Sequence, residues 1–245
     1  MKRLILTVSL ALALTMTTSA TGNEVSRAKT LVAYFSFPID SGKEALDATS
    51  GASVTIKYGR HYGNAQFIAM MVADTIGESA DLFEIDTGDH YPRDYEKIFN
   101  ATQSEQRKNV KPKLLKRVQN MVQYDKIVIV CPVWWYKMPL AVQSFLDEYD
   151  LNGKTIYLSV THGGSRSAGI EREIAAAEPN ATVSRNMLIL SRSDTAKSEQ
   201  KIKDWARGGQ FSYSKDHPSR FHLELLFVSL HHFFHSRFST VRIMT

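Results

Sequence analysis

From Thr30 onward, short apolar runs rich in Val, Ile and Leu alternate with segments whose apolar residues recur every three or four positions. The first kind of pattern reads as strands and the second as amphipathic helices. Strands are predicted over 30–35, 81–86, 126–131, 154–160 and 182–190. Helices are predicted over 64–76, 139–149, 167–177 and 195–206, with a mostly helical polar stretch over 91–120 that breaks at Pro112. The helix over 64–76 carries Phe67, Ile68, Met71, Val72 and Ile76 as one stripe. The run from Lys126 to Cys131 is apolar without interruption, which predicts a strand buried on both faces. Strands joined by helical crossovers imply an α/β fold, a doubly wound five-stranded parallel sheet between two helical layers. In such sheets ligands bind outside the carboxyl ends of the strands. The loops after strands one, three and four are therefore the places to look for chemistry.

Both ends of the chain break this pattern. Lys2 and Arg3 precede an apolar run from Leu4 to Met16 and a small-residue exit, Thr18-Ser19-Ala20. That order describes a signal peptide over 1–20, and so an exported protein, periplasmic or secreted. The run is shorter than the ~20 residues a membrane span needs. The formal charge of +5 is confined to the ends. Lys2 and Arg3 supply two of the units. Five basic residues against two acidic ones from Arg207 on supply the rest, so residues 21–206 are neutral. A neutral central domain gives no electrostatic reason to expect nucleic-acid binding, and membrane contact is expected only through the signal or the tail. Cys131 is the single cysteine, so an intramolecular disulfide is impossible, and its apolar setting predicts a small buried hydrophobe. The tail over 207–245 holds an aromatic stretch with His231 and His235 spaced i, i+4. No further ligand stands near them, so a helix docking on the domain or on a membrane is the better expectation than a metal site. A tail translated from a shifted reading frame is the other.

Three loops carry candidate chemistry. After strand one, Ser36 is followed by a long polar insertion and then by Gly63, Asn64 and Ala65, which open a helix. A helix N-terminus presents free N–H groups to an anion, and glycine lets the backbone approach it. After strand three, Pro132 and Val133 lead into Trp134, Trp135 and Tyr136, whose rings suit a flat conjugated ligand. The alternative is that these rings seal the edge of the core. After strand four, Thr161, His162, Gly163 and Gly164 bring backbone donors and small side chains to a ligand's edge, although Gly-Gly is also an ordinary turn.

At these residues the chain resembles the flavodoxin-like family, in a branch with a long first loop and a Trp-Trp pair. The resembling segments are LVAYFS (31–36), GNAQFIA (63–69), ADLFEI (80–85), YPRDY (91–95), YDKIVIVCPVWW (124–135), FLDEYDLNGKTI (145–156) and THGGS (161–165). They place a flavodoxin-like domain over 29–206. The resemblance implies noncovalent FMN, its phosphate held by Ser36, Gly63, Asn64 and Ala65. It implies that the ring is flanked by Pro132, Val133, Trp134 and Trp135 and edged by Thr161, His162, Gly163 and Gly164. Three positions depart from the family pattern. Ala65 stands where threonine is usual, removing a hydroxyl donor whose bond to a charged group contributes about 1.5–3 kcal/mol, unless Ser36, Arg60 or His61 compensates. Tyr136 replaces a usual glycine, and Arg166-Ser167 replaces a smaller glycine-bearing segment.

The resemblance implies electron transfer or an oxidoreductase activity carried by the flavin, with no catalytic side chain required. The partner is then a redox protein or a small quinone-like acceptor. Neither a nicotinamide motif nor a second domain is visible, which favours a carrier over an NAD(P)H/quinone-type reductase. The rival expectation is a degenerate flavodoxin fold kept as a non-catalytic binding module.

Overall fold

A computed structural model describes residues 29–39 and 53–209. The expected signal peptide, and the tail with His231 and His235, lie outside these residues. The element order is β1 (Lys29–Tyr34), β2 (Val54–Lys57), β3 (Arg60–Gly63), α1 (Asn64–Ile76), β4 (Ala80–Glu84), α2 (Tyr95–Lys108), β5 (Tyr124–Pro132), α3 (Leu140–Glu148), β6 (Thr155–His162), α4 (Ile170–Ala177), β7 (Thr182–Val183), β8 (Leu188–Ser191) and α5 (Glu199–Gly208).

The main sheet is parallel throughout and runs β4-β1-β5-β6, with β7 and β8 both paired to β6. Numbered by position along the chain, this is the doubly wound order 2-1-3-4-5, in which the fifth strand is split. β7 pairs with Thr155 and Ile156 at the start of β6, and β8 with Ser159 to His162 at its end. The sequence pattern predicts one strand over 182–190, but the polar residues Ser184, Arg185 and Asn186 interrupt it. The order reverses between β1 and β5, so the crevice for a ligand lies at their carboxyl ends.

Alternation along the central strands builds two cores. Leu31, Ala33, Ile127, Ile129, Cys131, Ile156, Leu158 and Val160 face α3, α4 and the inner side of α2. Val32, Tyr34, Val128, Val130 and Tyr157 face α1 and α5, where Phe67, Ile68, Met71, Val72, Ile202 and Trp205 meet them. A strand that buries both of its faces needs an unbroken apolar sequence, which is what 126–131 supplies. Cys131 is fully buried, and burial pushes its thiol pKa up to about 12. It is a packing residue, as its sequence setting predicts.

Two further differences from the sequence pattern bear on the site. The helix expected over 91–120 ends at Lys108, because Asn109 takes a left-handed C-cap and Pro112 follows. The chain beyond runs along the sheet edge, where the Leu115 N–H donates to the Asp86 carbonyl at 2.8 Å. The described part of the long first insertion contains the antiparallel hairpin β2-β3, which leads directly into α1.

Candidate functional site

A cavity of about 400 Å³ opens where the carboxyl ends of β1, β5 and β6 meet. Phe37, Ile39 and Ser53 of the first loop line it. So do the turn after β5, from Pro132 to Tyr136, and the loop after β6, from Thr161 to Ser165. Of the twelve positions singled out in the sequence, these include Pro132, Val133, Trp134, Trp135, Thr161, His162, Gly163 and Gly164.

The other four stand beside the cavity. Ser36 lines a separate hollow of about 170 Å³ next to Phe37, together with Gln66, Thr87 and Arg93. Gly63 caps α1, and a Cβ there would come within 2.1 Å of the Ser36 hydroxyl. A side chain at this position would force the Ser36 hydroxyl to move, although φ is an ordinary −63°. Asn64 and Ala65 are buried in the first turn of α1. The Asn64 amide oxygen accepts from the Thr55 hydroxyl, and its backbone N–H donates to the Ser53 carbonyl at 2.8 Å. One of the helix's first N–H groups is thus committed to the hairpin.

The two tryptophans do different work. Trp134 turns inward, edge-on to Phe35 at 5.1 Å and to Tyr91 at 5.3 Å. Tyr91 is itself anchored, since its hydroxyl donates to Glu105 at 3.0 Å while His90 Nε2 sits 2.8 Å from the other carboxylate oxygen. Burial, and then the Glu105 charge, raise the Tyr91 pKa and keep its proton in place. Trp135 turns outward onto Phe99 of α2, with ring centroids 4.3 Å apart, and its indole N–H donates to the Thr102 hydroxyl at 3.0 Å. Trp134 thus packs on the edge of the core, Trp135 packs on α2, and both indoles line the cavity.

The turn that presents them is tight. Trp134 and Lys137 exchange backbone hydrogen bonds at 3.1 and 2.9 Å, leaving Trp135 and Tyr136 as the two central residues with φ of 55° and 58°. Two left-handed centres make the backbone of a type I′ turn, a position normally given to Asn-Gly. Across the cavity, His162 Nδ1 accepts the Gly164 N–H at 2.9 Å, which leaves the proton of the neutral ring on Nε2. Burial, and then the charge of Arg166, lower the His162 pKa against the opposing effect of Asp194. His162 is thus a neutral ring at neutral pH.

The sequence reading missed the walls supplied by α2 and by the end of β8. Tyr95, Ile98, Phe99 and Thr102 line the cavity from α2, and Arg192 lines it beside Gly163. The i, i+3, i+4 spacing of these α2 residues was available as a signal, but nothing in it says which face meets a ligand. Among the described residues there is no cluster of three or more His, Cys, Asp or Glu suited to a metal. No described helix is long and apolar enough to cross a membrane.

A sequence model described as flavodoxin matches residues 53–208, well over half of the chain. The chain belongs to the flavodoxin family. Solved structures similar to this flavodoxin include a flavoprotein from Bacteroides uniformis, 22% identical, with a TM-score of 0.52 over 74% of this chain and 99% of that one. A flavoprotein from Bacteroides eggerthii is 21% identical, with a TM-score of 0.53 over 74% and 97%. A flavoprotein from Lactobacillus acidophilus, solved in complex with FMN, is 16% identical, with a TM-score of 0.50 over 73% and 99%. At these identities the likeness establishes the fold. No curated protein matches the chain. Tyr136 and Arg166, which the resemblance marks as departures, both stand where the backbone is left-handed, with φ of 58° and 55°. That conformation is what a glycine adopts freely.

Proposed function

We propose that this flavodoxin uses FMN to pass electrons to a small quinone-like acceptor, and that it is an oxidoreductase more than a carrier for a protein partner. The observation that carries the reading is a cavity to which the first loop and the loops after β5 and β6 all contribute, at the point where strand order reverses. Its residues fit the cofactor. Pro132, Val133 and the two indoles give a flat apolar border, while a Cβ on Gly164 would meet nothing within 4 Å, so backbone can approach a ring edge there. Ser36 and the N-terminus of α1, at the end of β1, suit the phosphate. FMN, when bound, supplies the redox chemistry, and the protein's part is to bind, orient and tune it.

Each side chain then has a defined task. The Thr102 hydroxyl fixes the Trp135 ring, and Tyr91 and Phe35 fix Trp134, so neither indole has to be ordered by the ligand. His162 holds Gly164 through Nδ1 and keeps Nε2–H as a neutral donor. α2 stands over the cavity with Tyr95 and Phe99, a wall that favours a small molecule over a protein docking onto an open flavin edge. The sequence alone favours a carrier; this wall is the reason for the change.

An absorbance spectrum of the freshly purified protein, followed by titration with FMN, tests the cofactor. A bound flavin spectrum with micromolar or tighter affinity is expected, and a colourless protein that takes up no FMN overturns the reading. NADH or NADPH oxidation in the presence of a quinone then distinguishes oxidoreductase, with steady turnover, from carrier. Export through the segment over 1–20 is part of the same proposal. N-terminal sequencing of protein recovered from the periplasm or medium should begin at Thr21.

A further inference from the structure

We infer that the cavity takes, beside the flavin, a planar aromatic molecule bearing an anionic group, and that Arg192 reads the anion. The inference rests on the flavoprotein reading and deepens it by naming the class of small ligand.

Two independent features of one cavity lead to this. The first is an aromatic mouth. Tyr95, Phe99 and Tyr136 are 43%, 45% and 76% exposed, and Trp135 packs on Phe99 of α2. Large rings grouped at the opening of a cavity mark a surface that is covered by a ligand in use. The same mouth is built on strained backbone, because Trp135 and Tyr136 both adopt left-handed φ where Asn-Gly would be relaxed. Strain retained at a cavity rim, on bulky rings, points to a role for those rings in binding.

The second feature is a cation facing the same space. Arg192 follows β8, and its backbone N–H donates to the His162 carbonyl at 2.9 Å, which ties it to the end of β6. Its guanidinium lies against Gly163, 3.6 Å from where a Cβ would stand, and it lines the cavity. Arg192 makes no ion pair with a carboxylate of the described residues, in contrast to Lys116, which bridges Glu84 and Asp86 on the sheet edge. A planar guanidinium with unused donors suits a carboxylate, sulfonate or phosphate. A Cβ on Gly163 would stand in ordinary contact with the guanidinium, so the group lies close along this loop.

The full chain, loaded with FMN in its oxidised form, is dialysed to equilibrium against naphthoquinone sulfonate and, separately, against the neutral menadione. The wild type should bind the sulfonate more tightly than the neutral ring. In Arg192→Gln the ratio of the two affinities should fall about tenfold, the loss of one hydrogen-bonded charge pair. Phe99→Ala should weaken both ligands together and leave their ratio in place. An unchanged ratio in Arg192→Gln overturns the inference while the flavin spectrum still stands. Arg192→Lys separates point charge from fork geometry: recovery of less than half of the lost preference is expected from a bidentate contact. Failure to take up FMN at all removes the flavoprotein reading and this inference with it, and is read from the spectrum before any quinone is added.

Discussion

Tyr136 sits at the second central position of a two-residue turn with φ of 58°, where an L side chain crowds its own backbone. Tyr136→Gly relieves that crowding, and because the Tyr136 ring is largely exposed it sacrifices little packing. We expect the variant to be more stable by ~1 kcal/mol, seen as a higher urea midpoint at constant slope. A lower midpoint would show that the ring's contacts outweigh the strain. Trp134→Ala removes edge contacts to Phe35 and Tyr91 and should destabilise the fold by ~3 kcal/mol as well as weaken FMN. Trp135→Ala removes the Phe99 and Thr102 contacts at the cavity wall, so it should weaken FMN with a stability loss of about 1 kcal/mol or less. Equal stability losses in the two would mean that the indoles are not divided between the core edge and the cavity wall. That division is not legible in the sequence, because two adjacent aromatic residues look alike until the φ of the turn is known. Arg192 was hidden for a similar reason. It reaches the cavity only because β8 pairs with the end of β6.

The elements themselves were largely written in the apolar pattern. The buried strands β1, β5 and β6 and the stripe of α1 fall where periodicity puts them, since burial on one or two faces leaves a direct mark on the sequence. The pattern failed where local polar chemistry governs: at the Asn109 cap, at the hairpin β2-β3, and at residues 184–187, where the fifth strand parts into two. Hairpins in a polar insertion bury little, and so leave little trace. The apolar strands also bury two unsatisfied hydroxyls. Thr30 in β1 and Ser159 in β6 are fully buried, and neither hydroxyl has a hydrogen-bond partner. An unsatisfied buried hydroxyl costs roughly 1–3 kcal/mol. Thr30→Val keeps the shape and removes the oxygen, so the variant should gain ~1 kcal/mol in a thermal or urea transition. No gain would place a water on that hydroxyl.

At the scale of the whole molecule, charge is nearly balanced between residues 21 and 206, so pH acts through particular groups more than through overall repulsion. On the acid side, Asp86 is held below its ordinary 3.8 by its hydrogen bond from Lys116 and by the Gly88 N–H. Burial pushes Asp81 and Glu199 upward, but hydrogen bonds from Lys29 and Tyr124 to the first, and from Lys203 and Tyr58 to the second, leave both lowered. His162 is lowered from 6.5, chiefly by burial. In each case the unfolded chain binds more protons than the folded one within the window, so stability rises with pH there. The stability these groups contribute is complete above their unfolded values and drains away as pH falls through the folded ones. His162 contributes first, below about pH 6.5, and the three carboxylates follow below about pH 4. Glu178 opposes them, because burial and its neighbours Asp150 and Asp147 raise it. On the alkaline side the sign reverses. Burial raises Tyr34 to about 12, and burial with the Glu199 hydrogen bond raises Tyr58 to about 12, both from 10.0. The folded chain then holds protons that the unfolded chain has lost, so stability falls as pH climbs above about 10. The urea midpoint should therefore form a plateau from about pH 7 to about pH 9, with a shallow loss near pH 6 that precedes a steeper one below about pH 4. His162→Gln should abolish the shallow step and leave the steep one. A step that persists in the variant would assign the proton to another histidine, and would remove His162 as the neutral ring at the cavity's edge.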